Sequence, residues 1–426
     1  MTTQFAVRLL IKDTVILCLA ILSFLFFGCS KNQRDVNKNM SKNKESESAV
    51  FKDDVDFLKK YTKIISLQNS NGKAKIAVSP ALQGRVMTST SDGDSGFSYG
   101  WINREAFLSG DTSQHFNVFG GEDRLWFGPE GGQYSIYFAK GKEFTLENWY
   151  VPKLIDLEPF DIASVSTGEA VFSKEAELTN YSGTIFRIGI KRKVKIIEDR
   201  EALDKLNIRS ANGSSLVAYE TVNELKNLGD KTWKKETGLL SIWILGMFNP
   251  SDATTVVVPY RGPIKGLREI VNDNYFGRVP DDRLKLVGQT VFFKADGKHR
   301  SKIGLSPENA PEWLGSYDAA HGVLTVVKYT KPKNANEYVN SLWEIQEEPY
   351  KGDAVNAYND GPPTPGAKPL GPFYELESSS PAAALQPDAT LTHVHTTYHF
   401  KGTSEQLDPI ILHLFGITSQ NVSSAF

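Results

Sequence analysis

From Ile64 onward, short apolar runs alternate with clusters of Gly, Asn, Asp, Ser and Pro, the rhythm of half-buried strands rather than of helices. Ahead of them, Phe51, Val55, Leu58 and Tyr61 recur at three- and four-residue spacing, which predicts a short amphipathic helix over Lys52–Lys63. Ile64–Leu67, a turn centred on Asn71-Gly72 and Ala74–Val78 predict a β-hairpin, since Asn-Gly tolerates the positive φ of a tight turn. Gly84–Thr90 adds a strand, closed by the turn residues of 91–96. Further strands are predicted over Tyr134–Ala139, Ala170–Leu178, Thr184–Ile197, Leu216–Leu225, Leu239–Met247, Thr254–Pro259, Gln289–Lys294, Val323–Tyr329, Val339–Gln346, Phe373–Ser378 and Thr392–Lys401. One clear helix follows, Ser404–Gly416, with Leu407, Ile410, Ile411 and Leu414 on one stripe and a glycine stop. No repeat of fixed period argues for a propeller or solenoid. The pattern implies an all-β body of large stacked antiparallel sheets. The Pro/Gly-rich stretch Asn359–Pro372 interrupts it and reads as an ordered surface loop beside a site.

The N-terminus has a different texture. Arg8 and Lys12 precede an apolar run from Thr14 to Phe27 that closes on Gly28-Cys29. The run is too short to cross a bilayer core of about 30 Å, and a basic region, an apolar run and a small residue together form an export signal. A Cys at the cut resembles a bacterial lipoprotein signal, which implies acylation of Cys29, a palmitate-type anchor and a place in the cell envelope, on the outer membrane facing the periplasm. Phe26 and Phe27 depart from the residues usual in that signal, and the alternative is an ordinary secretory signal or an uncleaved anchor. Cys18 falls inside the removed segment, so no disulfide is expected. The polar stretch after Cys29 reads as a solvated tether. The expected organisation is a signal over 1–28, a tether over 29–50 and a single domain over 51–426.

Composition narrows the partners. The 426 residues hold 48 basic and 50 acidic side chains, without the basic surplus that nucleic-acid binding needs. With 40% hydrophobic and 23% charged residues, the chain is an ordinary globular protein. It has no phosphate-binding P-loop, dinucleotide fingerprint or H-E-x-x-H, and no cofactor is expected.

Several stretches resemble the galactose mutarotase-like proteins. The opening, Ile64-Ile65-Ser66-Leu67 through Asn71-Gly72-Lys73 to Gly84-Arg85-Val86, is similar to their first strands. Gly322–Val327 with Pro332 resembles their late central strands. Leu376-Glu377, the loop Gln386-Pro387-Asp388 and the strand His395–Phe400 are similar to their last ones. The resemblance implies a β-supersandwich with a few short helices and a sugar-binding groove, with Glu377 at the position of the catalytic base in aldose 1-epimerases. Two departures matter. The His that those enzymes place before a Gly-Gly pair is Phe119 here, and the comparable strand Ile242–Asn249 has no His. Ring opening needs an acid as well as a base, so an altered site fits better, with His321 as the replacement acid.

The densest polar and aromatic segment is 120–132. Its Asp123, Arg124, Trp126 and Glu130 are the residue types that grip sugars, by stacking on C–H faces and by bridging paired hydroxyls; the alternative is a loop tied by its own ion pair with Trp126 in the core. Glu375 and Glu377 alternate with Tyr374 and Leu376, which puts both carboxyls on one strand face, suited to acid–base work or simply solvated. Asp360, after Asn359, either binds sugar hydroxyls or makes a turn into the proline loop, and Asp318 has the same two readings. His393, His395 and His399 share a face; a polar face is the expectation and no metal is assigned. Gly96-Phe97-Ser98-Tyr99-Gly100 matches a nucleophile-elbow pattern but lacks the following helix. The expectation is a membrane-anchored carbohydrate-binding protein, with epimerase-like proton transfer by Glu377 and His321. Substrate would be held by Asp123, Arg124, Trp126, Glu130, Asp360 and Glu375. The alternatives are a non-catalytic glycan-binding or structural lipoprotein, and a polysaccharide lyase or hydrolase on the same fold.

Overall fold

The computed structural model describes residues 49–426 apart from 261 and 264. The signal, Cys29 and nearly all of the tether lie outside the described residues. Most of the remaining chain is antiparallel sheet. A ten-stranded sheet runs, in spatial order, through Leu284–Val287, Thr290–Lys294, Thr254–Pro259, Trp313–Asp318, Val323–Tyr329, Thr390–Lys401, Ser215–Asn227, Ile185–Ile197, Glu169–Thr179 and Asp161–Val165. A five-stranded sheet runs through Ser301–Leu305, Val355–Asn359, Tyr374–Ser379, Ser241–Phe248 and Arg124–Gly128. The hairpin strands Ile65–Gln68 and Lys75–Ser79 join Arg85–Thr90 in a third, small sheet. These sheets agree with the all-β sandwich expected from the sequence.

The main core lies between the two large sheets. Leu125, Phe127 and Ile244 of the smaller sheet pack with Ile188, Val194 and Val217 of the larger one, and Ile303, Ala357 and Leu376 pack with Val256, Leu314 and Val327. The other side of the ten-stranded sheet is covered by helix. Ser404–Phe415 buries Leu407, Ile410, Ile411 and Leu414 against Leu324, Val326, Tyr398 and Phe400. Thr403 and Gln406 cap its start reciprocally, and Gly416 ends it at a φ of 72° that a side chain would resist.

Three departures from the sequence reading bear on the site. Part of the expected 120–132 loop, Arg124–Gly128, is a strand at the edge of the five-stranded sheet, paired with Ser241–Phe248. Ser301–Leu305 and Val355–Asn359 are strands that no run of alternating residues announces. The strands expected over Tyr134–Ala139 and Val339–Gln346 are irregular instead. Their polar groups are spent on loops: the Gln133 side chain donates to the Gln346 carbonyl and accepts from the Gln346 amide, and Tyr137 donates its hydroxyl proton to the Phe127 carbonyl at 2.8 Å. The expected N-terminal helix spans Phe51–Leu58, shorter at its end than the spacing suggests.

Candidate functional site

Strand alternation sorts the five-stranded sheet into two chemistries. Its inner face is mostly apolar, with Leu125, Phe127, Ile244, Ile303, Ala357 and Leu376, and is interrupted by Ser378 and Asn359. On the outer face Trp126 lies opposite Trp243, Arg124 opposite Leu245, Glu375 opposite Met247 and Tyr358, Glu377 opposite Asn356, and Lys302 opposite Tyr358. Loops rise around this face and enclose a cavity of 510 Å³, lined among others by Arg124, Trp126, Glu130, Trp149, Trp243, Arg300, Lys302, Trp343, Tyr358, Asp360 and Glu375.

The aromatic groups brace one another. Trp126 meets Trp243 edge-on at 5.7 Å and Phe116 at 5.2 Å, and Trp149 stacks on Trp343 at 5.9 Å. The Arg124 guanidinium lies over the Trp126 ring at 5.1 Å. Flat, rigidly held rings of this kind present preformed platforms to a ligand.

The charges are arranged in linked pairs. Arg124 donates from Nη2 to Glu375, and both are nearly fully buried. Lys302 Nζ donates to Glu377 Oε2 at 2.9 Å, and the Trp243 indole N–H donates to the same oxygen at 2.9 Å. Burial pushes the Glu375 carboxyl up to about 7; Arg124 opposes the rise and Glu377 adds to it. Burial likewise raises Glu130 to about 7, against the pull of Lys302. Lys302 itself stays charged: burial acts to lower its pKa, but Glu377 and Glu130 hold it above the ordinary lysine value. Asp360 accepts from the Tyr358 hydroxyl at 2.7 Å and the Gly371 amide at 2.8 Å, and its pKa is raised chiefly by burial. Arg300 lies over the Phe276 ring at 4.0 Å and makes no ion pair among the described residues. Four buried polar atoms of cavity-lining residues lack a partner among the described residues: Arg124 Nε and Nη1, Trp126 Nε1 and Trp149 Nε1. Such groups cost about 1–3 kcal/mol each when left unmade.

Of the residues singled out in the sequence, the structure brings Arg124, Trp126, Glu130, Asp360 and Glu375 to one cavity. Glu377 shares their sheet face but is fully buried behind Lys302 and Trp243, outside the cavity lining. Asp123 points the other way, as the neighbour of Arg124 on an extended chain must; it pairs with Arg192 at 2.5 Å and accepts from Thr221 at 3.0 Å, in the layer between the sheets. His321 is also elsewhere. It sits in the turn after Trp313–Asp318, where its Nδ1 is 2.6 Å from Asp318 and its ring faces Phe97. Asp123 is therefore a structural residue, and His321 is not placed to act on an occupant of this cavity. His393, His395 and His399 are buried between the sheets, the first two against Ser378 and the third against Glu122. Ser98 is buried against Thr88 at 2.6 Å, so the elbow pattern marks no exposed nucleophile.

Lys302, Arg300, Trp243, Trp149 and Trp343 are cavity residues that the sequence reading did not single out as binding groups. Lys302 faces away from Ile303 and Leu305 because Ser301–Leu305 is a strand, and too few residues alternate there to show it in the sequence.

An antiparallel β-sandwich with an aromatic and charged cavity on its smaller sheet defines the class of this protein. The chain belongs to a family of unknown function, DUF6786, whose profile matches residues 49–426. No curated protein matches it. Among solved structures it is similar to the Slr1438 protein of Synechocystis sp. PCC 6803, at 12% identity and a TM-score of 0.48, over 80% of this chain and 96% of that one. It is also similar to a galactose mutarotase-like protein from Lactobacillus casei, at 12% identity and a TM-score of 0.45, over 79% and 100% of the two chains. A galactose mutarotase related enzyme from Lactobacillus acidophilus aligns at 10% identity and a TM-score of 0.44, over 80% and 98%.

Proposed function

We propose that the cavity binds a carbohydrate, and that lipid on Cys29 tethers the chain to a membrane of the cell envelope. The observation that carries the binding reading is the meeting of four tryptophans with Arg124, Glu375, Asp360 and Lys302 around one 510 Å³ space. Aromatic faces receive the C–H side of a sugar ring, while ion-paired groups on a rigid sheet receive its hydroxyls. The test is a glycan panel titrated calorimetrically into the full chain and into Trp126→Ala, with circular dichroism to check folding. A folded variant that binds as well as the parent overturns the assignment. Metabolic labelling with palmitate, compared with Cys29→Ser, tests the tether; equal label in both removes it.

A second reading, proton transfer at the anomeric carbon, is favoured by two carboxyls in one cavity that both titrate near neutrality. One protonated carboxyl donates to the ring oxygen while the other, ionised, takes the proton of the anomeric hydroxyl. The bond from the anomeric carbon to the ring oxygen breaks, and an open-chain carbonyl sugar forms that recloses on either face. Glu375 and Glu130 fit these roles better than Glu377, whose Oε2 is held by Lys302 and Trp243. Anomer exchange followed by NMR should fall by about 10²-fold or more in Glu375→Gln and Glu130→Gln. Exchange in the parent no faster than in buffer leaves the non-catalytic binding reading.

A further inference from the structure

The cavity is divided by chemistry as well as by depth. Arg124, Lys302, Glu375 and Tyr358, all in strands of the sheet, are at most 8% exposed and form its polar floor. Its mouth is formed by loops, and three separate loops each place a large apolar side chain there: Leu146 at 56% exposure, Phe276 at 41% and Leu370 at 47%. Eleven large apolar side chains are at least 41% exposed among the described residues, and three of them ring this one opening. A cluster of exposed apolar groups at a concave site marks a binding surface. Leu146 and Leu370 are branched and aliphatic, without the flat face that a sugar ring stacks on or a polar tip for its hydroxyls. They suit hydrocarbon.

We infer that the ligand is an amphiphilic glycoside, a sugar headgroup seated on the charged floor and joined to an alkyl, acyl or aryl group that the apolar mouth covers. The inference rests on the carbohydrate reading and deepens it. The sheet fixes the sugar through Arg124, Glu375 and Lys302, and the loops bearing Leu146, Phe276 and Leu370 take the aglycone out of water. Burying apolar surface multiplies affinity by about fourfold per methylene, so two or three covered methylenes exceed a tenfold gain.

The experiment compares methyl and octyl β-glycosides of glucose, galactose and mannose, below micellar concentration, against the full chain by calorimetry, with 1-octanol as the apolar control. An octyl glycoside binding at least tenfold tighter than its methyl counterpart is the expected result, with the octyl-to-methyl ratio falling towards one in Leu146→Ser/Leu370→Ser. Where methyl glycosides bind and the octyl gain is below tenfold, or where the gain persists in the double variant, the amphiphile inference is overturned and the sugar reading stands. Where no glycoside of either series binds, or 1-octanol binds as tightly as the octyl glycosides, the sugar reading falls and takes this inference with it.

Discussion

At Lys302 the electrostatics of the cavity converge: one amine answers the carboxyls of Glu377, Glu130 and Glu375. Removing one member of a buried pair leaves the other uncompensated. Lys302→Met should therefore lower unfolding free energy by about 3–5 kcal/mol in urea titration. Lys302→Met/Glu377→Leu should recover most of that loss, and a double variant as unstable as the single one would contradict the pairing. Glu130 carries a pH signature. Its folded-state pKa, about 7, lies above its ordinary value of 4.5, so the fold favours the neutral carboxyl. That contribution is fully present below about pH 4.5 and is lost as the pH rises through about 7. Urea midpoints should decline over that window, and less steeply in Glu130→Gln; identical slopes would show that Glu130 titrates as a solvated group.

At the scale of elements, the loop between Asp360 and Phe373 carries one wall of the cavity, and Gly371 fixes where it lies. A β-carbon on Gly371 would come within 2.2 Å of the Trp101 ring. Gly371→Ala should destabilise the fold by about 1–3 kcal/mol, as overpacking does, and weaken ligand binding by displacing Leu370 and Lys368; a binding constant equal to the parent's would show that the loop does not shape the site. The sequence announces this loop through its prolines and glycines, and the long strands of the larger sheet through clean alternation, as in Ile185–Ile197. It conceals three strands of the five-stranded sheet for a physical reason. Arg124–Gly128, Ser301–Leu305 and Val355–Asn359 are buried on both faces, one face apolar against the core and the other polar or aromatic against the cavity. Such strands show no contrast of wet against dry, and they read as loops. Arg124, Trp126, Glu130, Asp360 and Glu375 were legible by residue type even so. The role of Glu377, and the irrelevance of Asp123 and His321 to the cavity, depend on which way side chains point across strands far apart in sequence.

In the whole molecule, function and scaffold are layered. The carboxyl-terminal helix, the ten-stranded sheet, the buried layer holding Asp123–Arg192, and the five-stranded sheet succeed one another before the cavity is reached. Arg192 ties the layers by donating to Asp123, to the Gly84 carbonyl at 3.1 Å and to Asn223 at 2.6 Å. Distance through this stack predicts independence of stability and binding. Leu407→Ala, on the far helix, should cost about 2–5 kcal/mol of stability while leaving glycan affinity within twofold at a temperature where the variant is folded. A larger change in affinity would mean that the helix and the cavity are energetically linked.

Four of the chain's seven tryptophans stand in the wall of a single cavity. Their emission is thus a native optical gauge: whatever enters changes the polarity around most of the indoles at once, and occupancy can be followed in unlabelled protein by intrinsic fluorescence.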